Sequence, residues 1–384
     1  MRKISFHDFK IVPGSIDFIC KVDETKEINL YFRFNRDFIP RNEIIAIALS
    51  TLCGTVFKEV YIDLPISNNI KEIVESYTQS KVYVPNTIEV DCIINKGKNF
   101  ALSYSGGFDS LAALFVLPKK TKLISIDFGD KYQRETEFFV QIEPNILHTN
   151  IRQHGLEKNA WTYMALGVIL YVEYLDIGYH SFGTVLEELP LHFMDRYIIE
   201  KNTAHRPLSH IDVNYIQYTQ GITEIGTAMI IAHHRPDLVN SSFISLSDPG
   251  AEKLYMKKLI LDILINKHGY KIEYDQEIPP PHNANPFGTV FKNDFLALYM
   301  IKYLDFEAVS LLVPDIPNDA VELSKSLSLD FYEKFNRNFY NSVPESVRGV
   351  FFANLNEVGI YPYNSLDWDE FDAVLKFLRK YYQK

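Results

Sequence analysis

The sequence predicts an α/β fold: a parallel sheet with helices on both faces, preceded by an N-terminal α+β segment and followed by a C-terminal helical region. Three observations carry this prediction. Between residues 97 and 275, short apolar strands alternate with helical runs, the pattern of a parallel sheet crossed by helices. Inside that region, Phe100 to Tyr104 runs into Gly106-Gly107 and at once into an apolar helix that Pro118 stops. The composition is that of a globular protein: of 384 residues, 47% are hydrophobic and 23% charged, with 27 Phe and 24 Tyr. Such a chain has enough apolar surface for a sizeable core and is not disordered.

Residues 1–96 read as a separate α+β domain. Ile28 to Phe34 alternates like a strand, Glu43 to Leu52 is an apolar helical run, and Val56 to Leu64 is a second strand. Ile70, Ile73, Val74 and Tyr77 have helical spacing over Ile70 to Gln79, and Val82–Val84 and Ile88–Ile94 read as extended. The polar stretch Asn95-Lys96-Gly97-Lys98 marks the boundary.

The domain over 97–278 is the α/β unit. Its expected strands are Phe100–Tyr104, Leu123–Phe128, Asn145–Thr149, Tyr179–Phe182 and Ser242–Ser245; its expected helices span 109–117, 133–141, 158–175, 223–233 and 251–267. Ligands of such a sheet bind at the carboxyl ends of its strands. Pro279-Pro280-Pro281 opens a stiff linker, and the rest of 279–384 reads as short helices. The last of these has Asp367, Asp369, Glu370 and Asp372 at its start and Arg379 and Lys380 near its end, which complements the helix dipole.

A net charge of −10 argues against a broad nucleic-acid footprint. The three cysteines, Cys20, Cys53 and Cys92, are scattered and read as reduced thiols. The first residues, MRKISFHDFKIVPG, lack the apolar core of a signal peptide, and no apolar run reaches the length of a membrane span. The expectation is a cytoplasmic protein acting on a small molecule, with the oligomeric state left open.

The chemistry concentrates at Ser105-Gly106-Gly107-Phe108-Asp109-Ser110. A strand, a glycine turn and a helix N-terminus make an anion site, because glycine lets the backbone approach phosphate oxygens and the first helical N–H groups point outward. Ser105 and Ser110 add hydroxyls. Asp109 suits such a site as a ligand of Mg²⁺ that bridges to phosphates; the alternative is that it caps the helix. The chain has no Walker A loop and no G-x-G-x-x-G fingerprint.

The run resembles the S-G-G-x-D-S signature of the ATP pyrophosphatases of the PP-loop superfamily, whose fold is adenine nucleotide alpha hydrolase-like. The resemblance covers about residues 98–260 and is specific at 105–110. It implies ATP and Mg²⁺ as cofactors, with ATP split to AMP and pyrophosphate as an oxygen of the substrate is adenylated. Ser125-Ile126-Asp127-Phe128-Gly129-Asp130 is similar to the S-x-D-x-G-Q run of 7-cyano-7-deazaguanine synthases, with Asp130 in place of the glutamine. That likeness implies nucleotide contacts at Asp127 and Phe128, and the layout of His148 to Glu188 implies them at Gly183 and Thr184. Arg152 then reads as a ligand of triphosphate or substrate, or as a surface ion pair. Glu187 or Glu188 reads as a Mg²⁺ ligand or a group orienting the nucleophile, or as a solvated helix start.

Thr223 and Glu224 suit substrate binding opposite the phosphate loop, and helix capping explains them as well. Lys253, Lys257 and Lys258 read as facing acidic phosphates or, more simply, as a charged solvated face. His205, His210, His233 and His234 lack zinc-ligand spacing and read as structural. With no cysteine after Cys92, the four-cysteine zinc site of the deazaguanine synthases has no counterpart. The function expected is an AMP-forming ligase or synthase for a small carboxylate or amide, with ammonia or an amine as nucleophile. The alternatives are a non-catalytic ATP- or AMP-binding module and a diverged deazaguanine-synthase relative.

Overall fold

A computed structural model describes residues 2–23, 26–88, 97–129, 142–188, 205–246, 250–274, 277–341 and 343–382. The chain is α/β and divides into two compact units. The first comprises Met1–Ser105, Lys120–Ser181 and Lys201–Ile216; the second comprises Gly106–Lys119, Phe182–Glu200 and Gln217–Lys384. Among the described residues, no helix is long and apolar enough to cross a membrane.

The first unit is built on one mixed ten-stranded sheet. Its strands are β1 (Lys3–Val12), β2 (Ser15–Val22), β3 (Lys26–Phe34), β4 (Glu59–Ile62), β6 (Lys81–Tyr83), β8 (Asn99–Ser103), β9 (Lys122–Asp127), β10 (Asn145–Thr149), β11 (Ile177–Ser181) and β12 (Asn214–Tyr215). Their order is β12-β11-β8-β9-β10-β3-β2-β1-β4-β6. The short strands β5 (Ile66–Ser67) and β7 (Thr87–Ile88) pair separately. Ile4 and Phe6, Ile16, Phe18 and Cys20, and Leu30 and Phe32 are all buried, so alternate residues of β1, β2 and β3 face the core. Gly14, at φ 77°, turns β1 into β2.

Helix α1 (Asn42–Cys53) is buried along almost its whole length and packs on α2 (Asn68–Thr78). β1, β4 and β6 are mutually parallel. β12, β11, β8, β9 and β10 form a second parallel set. The two sets join through β2 and β3, because β3 pairs antiparallel with β10. Strands from 1–96 and from beyond 97 therefore share one sheet.

The second unit is helical. It holds α3 (Phe108–Val116), α5 (Glu224–His234), α6 (Val239–Leu246), α7 (Glu252–His268), α8 (Phe291–Tyr303), α9 (Phe306–Leu312), α10 (Asn318–Ser326), α11 (Glu345–Glu357) and α12 (Ser365–Tyr382); α4 (Leu166–Tyr171) belongs to the first unit. α3 packs along α5, and α5 along α7. Ile222 bridges to Phe335, which bridges in turn to Pro362.

Two expectations need correction. Ser242–Ser245 is helix rather than strand, because Val239, Ser242 and Phe243 are all buried on one helical face. The two-residue β12 is instead the fifth parallel strand. The helix expected over 158–175 begins only at Trp161, because Ala160 is extended (φ −164°, ψ 142°); it runs as a 3₁₀ segment before α4. The helix expected at 133–141 and most of the strand at 88–94 lie outside the described residues.

Candidate functional site

The loops that follow β8 and β11 leave the carboxyl ends of neighbouring parallel strands. The first turns on Gly106, whose φ of 79° is left-handed. Gly107 is the N-cap of α3, and its carbonyl accepts the first helical bond from Leu111 N at 2.9 Å. The Ser110 hydroxyl donates to the same carbonyl at 3.0 Å. Within the second unit, Gly183 lies against this turn. A Cβ at Gly183 would stand 2.5 Å from Ser110 N and 2.6 Å from the Asp109 carbonyl carbon. Behind the turn, the Ser242 hydroxyl donates to the Gly106 carbonyl at 2.8 Å.

Asp109 sits in the first turn of α3 and is 8% exposed. Its Oδ1 accepts from the Thr227 hydroxyl at 3.2 Å and from Lys257 Nζ at 3.1 Å. The Lys257 side chain is fully buried; it also pairs with Glu224 Oε2 and lies 4.9 Å from the centre of the Phe108 ring. Glu224 Oε1 pairs with Lys292, which reaches Glu188 Oε1 at 3.4 Å.

Glu187 is 1% exposed. Its Oε1 accepts from the Glu224 backbone N–H at 2.7 Å, and its Oε2 has no hydrogen-bond partner among the described residues. Thr223 caps α5 by accepting from Ile225 N at 3.2 Å and Gly226 N at 3.3 Å, and it donates to the Tyr332 carbonyl at 2.6 Å. The site is thus two helix starts, α3 and α5, with carboxylates and lysines between them.

These neighbours set the proton affinities. Burial works against the Asp109 carboxylate, but Lys257, Lys253 and Lys292 outweigh it and bring its pKa down to about 2. Burial lowers Lys257, with Asp109 opposing. Glu187 goes the other way: burial raises it from 4.5 to about 8, against Lys292 and with Glu188 and Asp109 adding to the rise.

A pH prediction follows from Glu187. Between pH 4.5 and 8 the unfolded chain has released a proton that the folded chain keeps. The folded state therefore loses stability as pH rises through that window, by up to about 1.4 kcal/mol per unit. Glu187→Gln, which imitates the protonated acid, is expected to lose less stability than the parent between pH 5 and pH 8 in urea unfolding. Parallel pH profiles for the two proteins would contradict this.

The residues present suit a magnesium ion. Asp109, Glu188 and Glu224 bring carboxylate oxygens within 4.8 Å of one another, and hard oxygen donors of this kind are what Mg²⁺ takes.

The structure brings together Gly106, Gly107, Phe108, Asp109, Ser110, Gly183, Glu187, Thr223 and Glu224, all in the second unit. The Thr184 carbonyl, in the same unit, accepts from the Thr219 hydroxyl at 2.8 Å. Ser105 ends a segment of the first unit. Asp127, Phe128 and Arg152 form a different group in that unit. Asp127 Oδ2 bonds His148 Nδ1 at 2.9 Å, and Asp127 Oδ1 accepts from Gly129 N at 2.8 Å. The Arg152 guanidinium lies 3.8 Å from the centre of the Phe128 ring and donates from Nη2 to the Tyr163 hydroxyl at 2.9 Å. That arrangement stacks the guanidinium on aromatic rings. His205 Nε2 bonds the Thr162 carbonyl at 2.7 Å in the interior, and His234 stacks on Phe115.

In the sequence, Lys257 reads as a phosphate-facing or a solvated lysine, and Lys292 is not singled out. Lys258 does pair along its own helix, with Asp262 at 2.7 Å, but Lys257 is in the core and not on a solvated face. The available signal was its position on the stripe Leu254, Lys257, Leu261, Leu264, in which every other member is apolar and buried. Lys292 carried no comparable signal.

Comparison with known proteins gives no significant match: no family model fits the chain, and neither a curated protein nor a solved structure is similar to it.

Proposed function

We propose that this chain is an ATP-dependent, AMP-forming enzyme of PP-loop type that adenylates a small carboxylate or amide for attack by ammonia or an amine. The observation that carries the reading is the placement of Asp109. It stands in the first turn of a helix that begins at Gly106-Gly107, with Gly183 packed against that turn and two lysines beside it. The parallel strands β12-β11-β8-β9-β10 run 5-4-1-2-3 in chain order, the order of a doubly wound nucleotide-binding sheet seen from its other edge.

In this reading, Ser105, Gly106, Gly107 and Ser110 cradle the phosphates with backbone N–H groups and hydroxyls. Asp109, with Glu188 and Glu224 near it, would hold Mg²⁺, which would offset phosphate charge. Lys257 and Lys292 add fixed positive charge beside the turn, and that favours a departing pyrophosphate. Glu187 holds a proton at neutral pH in a water-poor setting, which suits proton exchange with an amine nucleophile.

A second reading, nucleotide binding without turnover, draws on one feature: Glu224 and Asp109 are already paired with lysines.

Titration calorimetry with ATP and MgCl₂ tests the binding on which both readings rest. Asp109→Asn keeps the side-chain volume and an oxygen for Thr227, and is expected to lose at least about tenfold in Mg²⁺-dependent affinity, the scale of one charge-assisted contact. Unchanged affinity in the variant would overturn the assignment.

A further inference from the structure

Each carboxylate in the Asp109, Glu188 and Glu224 cluster already faces an ammonium group. Lys257 Nζ bridges Asp109 and Glu224, and Lys292 Nζ bridges Glu224 and Glu188. We propose that Lys257 and Lys292 are resident counter-ions of a divalent-cation site, and that metal and lysine compete for the same oxygens. The proposal rests on the reading of this cluster as the metal site of a phosphate-binding centre, and it adds how that site is regulated.

Charge and geometry carry it. The three carboxylate ligand atoms lie within 4.8 Å of one another, close enough for one cation to draw them together. A second, independent feature points the same way. The Glu187 carboxyl lies within electrostatic reach of Glu188, Asp109 and Lys292, with its Oε1 on the Glu224 backbone N–H; its Oε2 is buried and has no hydrogen-bond partner among the described residues. A buried carboxyl oxygen without a partner is a costly group to keep, and water carried in by an arriving cation would satisfy it.

With Asp109, Glu188 and Glu224 ionised, the two lysines leave the cluster one negative charge. A divalent ion added to that cluster makes it positive, and like charges a few ångströms apart in a buried setting repel strongly. The ion therefore has to displace an ammonium group, and the side chain of Lys257 is fully buried, away from water. A phosphate group that takes over the released ammonium relieves the competition. The lysines thus keep the empty site neutral enough to fold and make metal alone a weak ligand.

The test uses the full chain and Mn²⁺ alone, with free Mn²⁺ read by electron paramagnetic resonance. Lys257→Met and Lys292→Met are each expected to bind Mn²⁺ at least tenfold more tightly than the parent. Lys258→Met, whose parent side chain pairs with Asp262, is expected to match the parent. If Lys257→Met does not fold, Lys292→Met carries the test, because the Lys292 side chain is 19% exposed. Mn²⁺ affinity equal to or weaker than the parent's in the folded lysine variants would overturn the competition. Titration of the same preparations with ATP and MgCl₂ separates the two claims. Tighter Mn²⁺ binding without any ATP binding leaves the competition standing and removes the nucleotide reading. ATP binding with unchanged Mn²⁺ affinity does the reverse.

Discussion

Replacing Lys257 by methionine is expected to destabilise the protein by about 3–5 kcal/mol, the range found when one partner of a buried ion pair is removed. Methionine fills much of the lysine stem's volume, so the loss comes from charge and not from a cavity. Lys257 holds Asp109 and Glu224 at once, and the Glu224 side chain is fully buried. Among the described residues, without the ammonium group Asp109 keeps only the Thr227 hydroxyl at Oδ1 and the Glu224 carboxylate keeps only Lys292. Urea unfolding at neutral pH measures the effect. Lys258→Met, on the next position of the same helix, serves as the comparison. Its pairing with Asp262 is partly exposed, so its loss is expected to be about 1 kcal/mol or less. A Lys257 variant as stable as the Lys258 variant would contradict the network.

The second large effect is expected at Gly183. An added Cβ meets Ser110 N at 2.5 Å, the Asp109 carbonyl carbon at 2.6 Å and Ser110 Cα at 2.8 Å. All three are backbone atoms of the first turn of α3, and none can rotate away. Gly183→Ala therefore has to push the turn or its own loop aside, at a cost of about 1–3 kcal/mol for overpacking. The displaced turn carries Asp109, so MgATP affinity is expected to fall by at least about tenfold, equivalent to 1.4 kcal/mol. Gly349→Ala is the control. Gly349 lies inside α11, and a Cβ added there would meet nothing within 4 Å, so alanine is expected to stabilise by up to about 1 kcal/mol. Wild-type stability and MgATP affinity in Gly183→Ala would show that the close approach has no consequence.

How far the sequence was legible depends on how local each feature is. The start of α3 was readable because a strand, two glycines and an apolar run are contiguous, and the helix begins at Phe108, one residue before its expected start. The cap at Thr223 was readable for the same reason. Lys257 was not, because a charged residue on an apolar stripe reveals its partner only when the chain brings Glu224 and Asp109 to it from 33 and 148 residues away. β12 has two residues, too few to show a period. Ser242–Ser245 contains Phe243-Ile244, which suits a strand or a buried helix; burial of Val239 and Phe243, four apart, decides for the helix. The pairing of β3 with β10 joins segments more than 100 residues apart, and no local pattern announces it.

The measurement closest to the central claim follows the phosphorus of ATP. The protein is incubated with Mg²⁺, a broad panel of small carboxylates and amides, ammonium, and ATP labelled at the α-phosphorus, and the labelled products are separated. A helix N-terminus and glycine turn that hold the β- and γ-phosphates together stabilise pyrophosphate as the leaving group. The chain carries no Walker A lysine to favour transfer of the γ-phosphoryl group. The account predicts label in AMP, released with one pyrophosphate per turnover and absent from the Asp109→Asn reaction. Label in ADP with free phosphate would contradict it.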